Sequence, residues 1–259
     1  MDDLKWYLAA PSAEADPRKA LEPDHVHVWR ARLDQPAPMI AALADVLSED
    51  ERARAARFRA DSHRDRFIVC RAAQRDILGA YAGIAPESIA FEYSAHGKPS
   101  LDIGAEHARG IRFNTSNSSD LAVFAVAVGR ELGIDVEAER TIADVLSLAR
   151  RFFSPVEFEA LSAIPAESMH RAFLTCWTRK EAFVKAVGLG VSMPLDRFDV
   201  PVRPQDPAAL LCTRPDASVA GRWSMHSLNV GPGYVGTVVI EGTIDALHLL
   251  DWQPPTMRQ

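Results

Sequence analysis

LAVFAVAVGRELGIDVEAE (121–139) holds two strands and the break between them. Its first eight residues form a near-continuous apolar run, the pattern of a strand buried on both faces. Gly129 and Arg130 interrupt that run, and ELGIDVEAE (131–139) starts a second strand. On each side of the break the chain repeats one order: a strand, then helices, then several strands. The expectation is an α+β chain of two similar lobes meeting near residue 130.

Upstream, HVHVWRARL (25–33) alternates apolar and polar residues as a strand does. Residues 37–82 read as helical, with a short segment around Met39–Val46 and a long amphipathic stretch running through Tyr81. Ser48 is the N-cap between them, and Glu51 completes a capping box. IAFEYS (89–94) and IRFN (111–114) are strand-like, separated by the turn Gly97-Lys98-Pro99. Downstream, two helical stretches meet at RRFFSPVEFEAL (150–161), where Ser154 and Pro155 supply an N-cap and a first-turn proline. A long helix pattern covers 166–187 and stops at Gly188. FDVPV (198–202), GRWSMHSL (221–228), GYVGTVVI (233–240) and DALHLL (245–250) are short strand candidates. The division expected is an arm over 1–24, lobes over 25–129 and 130–251, and a tail over 252–259.

Apolar residues make up 47% and charged residues 25%, which excludes disorder as the main state. Cys70, Cys176 and Cys212 have neither metal-ligand nor redox spacing and suit a reducing compartment. No apolar run approaches the roughly 18 residues of a membrane span. The N-terminus lacks a basic-then-apolar leader, so a cytoplasmic protein with no membrane partner is expected. A net charge of -6 argues against nucleic acid as a partner. The charge is uneven, however: eight arginines lie between Arg52 and Arg75. Charge alone leaves two readings open, a site for a small polyanion and a helix face neutralised by its own acids.

In GIDVE, Asp135 and Glu137 are two apart on a strand and share a face. Two semi-buried carboxylates about 4 Å apart repel by roughly 4 kcal/mol at an effective dielectric near 20, so a positive group belongs between them. On a solvated strand the pair is harmless. In CWTRKEAFVKAVGLG (176–190), Trp177, Glu181 and Lys185 line one helix face. A Glu-Lys pair one turn apart is by itself ordinary helix support.

Taken together, GIDVEAER (133–140), RFFSPVEFEAL (151–161) and WTRKEAFVKAVGLGVSMPLDRF (177–198) resemble the 4′-phosphopantetheinyl transferases of the Sfp type. GKPSL (97–101), FNTSNS (113–118) and the arginine-rich helices from Ser48 to Leu78 extend the resemblance over residues 40–200. It implies two α+β lobes related by a pseudo-twofold axis, with the active site in the cleft between them. The activity implied is transfer of 4′-phosphopantetheine from coenzyme A, the co-substrate, to a serine of an acyl or peptidyl carrier protein, releasing 3′,5′-ADP.

The resemblance makes Asp135, Glu137 and Glu181 the ligands of Mg²⁺, with Mn²⁺ as the alternative ion. Lys185 pairs with the pyrophosphate of coenzyme A, and Glu137 and Lys185 count with the catalytic groups. Glu157 matches a position proposed as base for the carrier serine; a helix-capping role and a metal-bound water as base stand as alternatives. Lys98 and Ser116 match contacts to the adenine nucleotide end, and Arg54, Arg71 and Arg75 are candidates for the 3′-phosphate. Asn117 departs from the pattern, which has histidine there facing a phosphate; asparagine donates without charge. His63 and His96 read as surface histidines. Leu146, Leu148, Arg150 and Arg151 are the candidate carrier-docking patch, and a monomer is expected because one chain supplies both lobes. Two other functions use the same residues: a non-catalytic coenzyme A binder, and a Mg²⁺-dependent phosphohydrolase.

Overall fold

A computed structural model describes residues 6–8, 21–108 and 110–255. In chain order the elements begin with β1 (Trp6–Leu8), β2 (His25–Arg32), α1 (Ala37–Ala44), α2 (Glu49–Ala55) and α3 (Asp61–Ala82). Then come β3 (Phe91–Tyr93), β4 (Pro99–Leu101), α4 (Ala105–Ala108), β5 (Ile111–Ser118), β6 (Leu121–Val128) and β7 (Leu132–Ala138). The helices α5 (Val145–Phe152), α6 (Pro155–Ser162) and α7 (Ala166–Val187) follow. The last strands are β8 (Phe198–Asp199), β9 (Cys212–Thr213), β10 (Trp223–Leu228), β11 (Tyr234–Glu241) and β12 (Ala246–Asp251). The protein is a mixed α+β chain of two compact units. Unit 1 takes the chain up to Glu92, Pro99–Gly129 and Ala246 onward, and unit 2 takes Tyr93–Lys98 and Arg130–Asp245.

Unit 1 is built on a five-stranded sheet in the order β1-β12-β2-β6-β5. The three strands β2, β6 and β5 are antiparallel, β12 runs parallel to β2, and β1 parallel to β12. Residues 121–127 of β6 are all buried, as the unbroken apolar run requires. The core gathers Trp29, Phe124 and Val126 from the sheet with Ile77, Leu78 and Tyr81 of α3. Each such side chain contributes roughly 1.5–3 kcal/mol by leaving water. The Ser48–Glu51 capping box forms at the start of α2. At the far end of α3, Gly83 takes the left-handed conformation (φ 72°) that stops the helix.

The structure departs from the expected bounds at several strands and at the tail. The expected second lobe includes DALHLL, yet β12 joins β2 of unit 1, with Leu249 opposite Val28. Alternation identifies a strand but carries no address for its partner. The tail, expected from residue 252, starts later: Trp252 is 5% exposed and its Nε1 donates to Asp76 Oδ2 at 2.7 Å. Within the expected arm, Trp6–Leu8 form β1, and 9–20 lie outside the described residues. FDVPV keeps strand geometry only at Phe198–Asp199, because Pro201 has no N–H for a ladder.

Unit 2 has an antiparallel sheet in the order β10-β11-β7, with α7 packed on it. Its core centres on Phe183, whose ring meets Phe198 at 4.8 Å and Trp223 at 5.6 Å. Both units thus share one topology. A first strand precedes a 22-residue helix and a hairpin whose second strand lies beside the first. Gly133 decides how closely β7 approaches α7. A Cβ there would sit 2.2 Å from the Ala182 carbonyl and 2.3 Å from the Ala186 nitrogen. Only glycine lets the strand lie directly against the helix backbone at this point.

Candidate functional site

That close approach sets the acids of β7 beside those of α7. Asp135 and Glu137 alternate with buried Ile134 and Val136 and share the other face of the strand. Asp135 is 5% exposed, while the Glu137 side chain keeps 22%. From α7, Lys185 Nζ reaches Asp135 Oδ1 at 2.7 Å and the Ile134 carbonyl at 3.3 Å. Lys185 therefore pairs across to the strand acid. Burial, then the Asp135 charge, pushes the Glu181 carboxyl above its ordinary range; Lys185 opposes this and Glu137 adds to it. Glu181 thus feels both strand acids, with Lys185 on Asp135 and Arg140 3.7 Å from Glu137 as cations beside them. An all-oxygen, anionic donor set of this kind fits a hard divalent cation, which would remove that penalty.

Glu157 is elsewhere engaged. It is 2% exposed, and its Oε2 accepts from the Ser154 backbone N–H at 2.8 Å and pairs with Lys180 Nζ at 2.7 Å. Its Oε1 accepts from the Val200 N–H at 2.8 Å. Lys180 is itself fully buried and donates to the Leu195 and Phe198 carbonyls. This is the capping alternative realised, extended into a buried ion pair that ties α6, α7 and the β8 region together.

Lys98 likewise spends its ammonium inside unit 2, on Glu131 Oε2 (2.5 Å), the Ala186 carbonyl (2.8 Å) and the Leu132 carbonyl (3.2 Å). Its stem lies against Gly188, where a Cβ would come within 3.1 Å of Lys98 Cδ. Lys98 thus braces the C-terminus of α7 and the start of β7, which is a positioning role.

In unit 1 a cavity of about 650 Å³ opens between α3 and β5. Arg54, Arg66 and Arg71 give it positive charge, and Asn117, Ser118 and Ser119 give it neutral polar groups. Arg71 is held by Glu51 Oε1 (2.8 Å) and Gln74 Oε1 (2.6 Å), while Arg54 lies over the Phe67 ring at 5.2 Å. Arg75 is a correction to the expected arginine set. It is 2% exposed, and its guanidinium is committed to Glu51 Oε2 and the Pro86 and Ile89 carbonyls. A buried guanidinium needs that compensation and is not available to a ligand. Burial alone would raise the Glu51 carboxyl, but the Arg75 hydrogen bond, Arg71 and the Ser48 N–H bring it below the ordinary range. Ser116 is buried and, by strand alternation, turns to the opposite face from Thr115 and Asn117.

The cavity also takes His63, which the sequence makes an ordinary surface histidine, and Arg66, which it does not single out. The signal was present: 63, 67, 71 and 74 repeat at helical spacing on one face of α3, continuous with Arg71. Cys70 shares this wall, and burial pushes its thiol up to about 12, so no thiolate chemistry belongs here. In unit 2, Glu137 borders a smaller pocket of about 150 Å³ lined by Ile142, Leu148, Phe173 and Trp177. Among the described residues no helix is long and apolar enough to cross a membrane.

Comparison with known proteins agrees in both units. Residues 131–239 match the family model of the 4′-phosphopantetheinyl transferase superfamily. Residues 29–129 match the model of the 4′-phosphopantetheinyl transferase N-terminal region. The chain is 40% identical over 239 residues to the 4′-phosphopantetheinyl transferase HetI of Nostoc sp., covering 92% of this chain and 94% of that one. It is 35% identical over 159 residues to psf-1 of Bacillus pumilus, covering 61% and 65%. Over 157 residues it is 31% identical to Sfp of Bacillus subtilis, covering 60% and 66%.

Proposed function

This chain belongs to the 4′-phosphopantetheinyl transferase superfamily and is a transferase that places phosphopantetheine on a carrier protein; from that premise we propose that coenzyme A is the donor and Mg²⁺ the metal. The observation that carries the proposal is the convergence of Asp135, Glu137 and Glu181 beside Lys185. Bound there, Mg²⁺ would offset the charge of the pyrophosphate during displacement at phosphorus. Lys185, 28% exposed and one turn beyond Glu181, turns from Asp135 to the incoming phosphate as a point charge.

The carrier serine oxygen forms the new bond to the β-phosphorus, the bond to the bridging oxygen breaks, and 3′,5′-ADP leaves. Glu137, the partly exposed strand acid, accepts the serine proton in place of buried Glu157. The arginines of the unit 1 cavity suit the nucleotide-end phosphate, with Arg54 and Arg71 as the charged contacts. Carrier docking falls to α5, where Leu146 is 38% exposed and Arg150 and Arg151 are held over Phe158 and Phe152.

Incubating the protein with Mg²⁺, coenzyme A and an apo carrier, then weighing the carrier, tests this. The expected result is a gain of one phosphopantetheine group, abolished by a chelator and restored by Mg²⁺. Unmodified carrier with intact coenzyme A would leave only a binder; cleaved coenzyme A with unmodified carrier would make the protein a hydrolase.

Asn117 gives a sharper check, because it is exposed on the cavity wall beside the arginines. Asn117→His should tighten coenzyme A binding by roughly five-fold below pH 6.5, where imidazole carries a proton, through a charged in place of a neutral donor. The gain should fade as pH rises through that value. Titrating coenzyme A at two pH values reads the effect, and equal affinities at both would remove Asn117 from the phosphate contact.

A further inference from the structure

Strand alternation puts His25 and His27 on one face of β2, and the parallel register sets His248 of β12 opposite His27. The three rings are in contact: His25 and His27 meet His248 with centroids 5.1 and 4.9 Å apart. One ring nitrogen from each lies within 4.8 Å of the others. His27 is 1% exposed, and its Nδ1 is engaged by the Tyr81 hydroxyl at 2.7 Å, which Trp29 Nε1 also approaches at 2.9 Å. The Glu22 carboxylate stands 3.8 Å from His25 Nε2. On the inner side, His25 Nδ1 and His248 Nε2 are buried with no hydrogen-bond partner among the described residues.

A group of packed imidazoles with buried, unpartnered nitrogens is costly unless something accepts those lone pairs. We infer that His25, His27 and His248 form a site for a divalent transition-metal ion, of which Zn²⁺ is the type, separate from the carboxylate cluster. The Tyr81 hydroxyl holds the His27 ring by the kind of outer hydrogen bond that metal-bound imidazoles have, and the Glu22 carboxylate stands near His25 without bonding it. Zinc ligands about 2.0–2.1 Å from a tetrahedral ion stand roughly 3.3 Å apart, so the rings need close by no more than about 1.5 Å. Neutral nitrogen donors without carboxylate oxygen select this class of ion over Mg²⁺. The His25 side chain, 23% exposed, leaves a way in. Bound there, the ion would pin β12 to β2.

The test uses the full chain, stripped with a chelator, dialysed, and titrated with Zn²⁺ in excess Mg²⁺ so that the carboxylate cluster stays filled. Equilibrium dialysis should find one zinc per chain. His25→Gln and His248→Gln should each lower zinc affinity by at least about 10-fold while carrier modification in Mg²⁺ persists as proof of folding. Glu22→Gln, an exposed change that threatens no packing, should weaken zinc by about three-fold through loss of the charge beside His25 and decides the matter if a histidine variant fails to fold. Absence of bound zinc in the unaltered chain overturns the site. So does zinc that is undiminished in the folded histidine variants and in Glu22→Gln.

Discussion

Asp135→Asn and Glu181→Gln should each cut carrier modification by at least about 10²-fold, since the cation they would hold is worth several kcal/mol of transition-state charge. Neither should lower the melting temperature much. Glu181 is already held above the ordinary carboxylate range by burial and by Asp135, so the fold disfavours its charge and neutralising one acid relieves repulsion. Asp135→Asn removes the charge opposite Lys185, but the amide oxygen can still accept, the Ile134 carbonyl remains at 3.3 Å, and the lysine is 28% exposed to water. Loss of turnover without loss of stability is the signature. Near-normal turnover at limiting Mg²⁺ in either variant would sink the assignment.

For Glu157→Ala the opposite pattern is expected. The substitution deletes a capping box, the bond from the Val200 N–H and the partner of a fully buried lysine. Breaking a buried pair from one side costs about 3–5 kcal/mol, which should lower the melting temperature by roughly 10 °C in a chain of this size. Well below that temperature, the folded fraction should keep its turnover and its pH profile. A catalytic base would instead lose about 10²–10⁴-fold in rate at unchanged stability. Measuring melting and turnover on one preparation separates the two roles of Glu157.

The topology was readable because each unit states its pattern locally. Capping at Ser48 and Ser154, the glycines after α3 and α7, and the apolar run of β6 are all signals a few residues wide. The carboxylates were readable for the same reason, since strand and helix periods alone put Asp135 with Glu137 and Glu181 with Lys185 on common faces. What escaped was tertiary. Nothing local to Arg75 says that Glu51 claims it while Arg71 still borders the cavity, though the two arginines are one turn apart. Lys98 sits in a turn that reads as solvent-facing, yet three acceptors distant in sequence hold its ammonium. The partner of β12 could not be read either, because a period-two pattern is silent about which edge it joins.

That last strand has a bearing on how the chain is made. Apart from Tyr93–Lys98, unit 2 is threaded into the sequence between β6 and β12, so it leaves the ribosome complete while unit 1 still lacks an inner strand of its sheet. The usual order of synthesis, in which the first-made domain folds first, is reversed. Until β12 emerges, β2 offers an open hydrogen-bonding edge to any passing strand, and the contact that closes it joins residues about 220 apart, at a loop entropy that grows only logarithmically with length. Unit 1 therefore closes its sheet only after unit 2 has been made, and its earliest-made strands stay open to aggregation for longest.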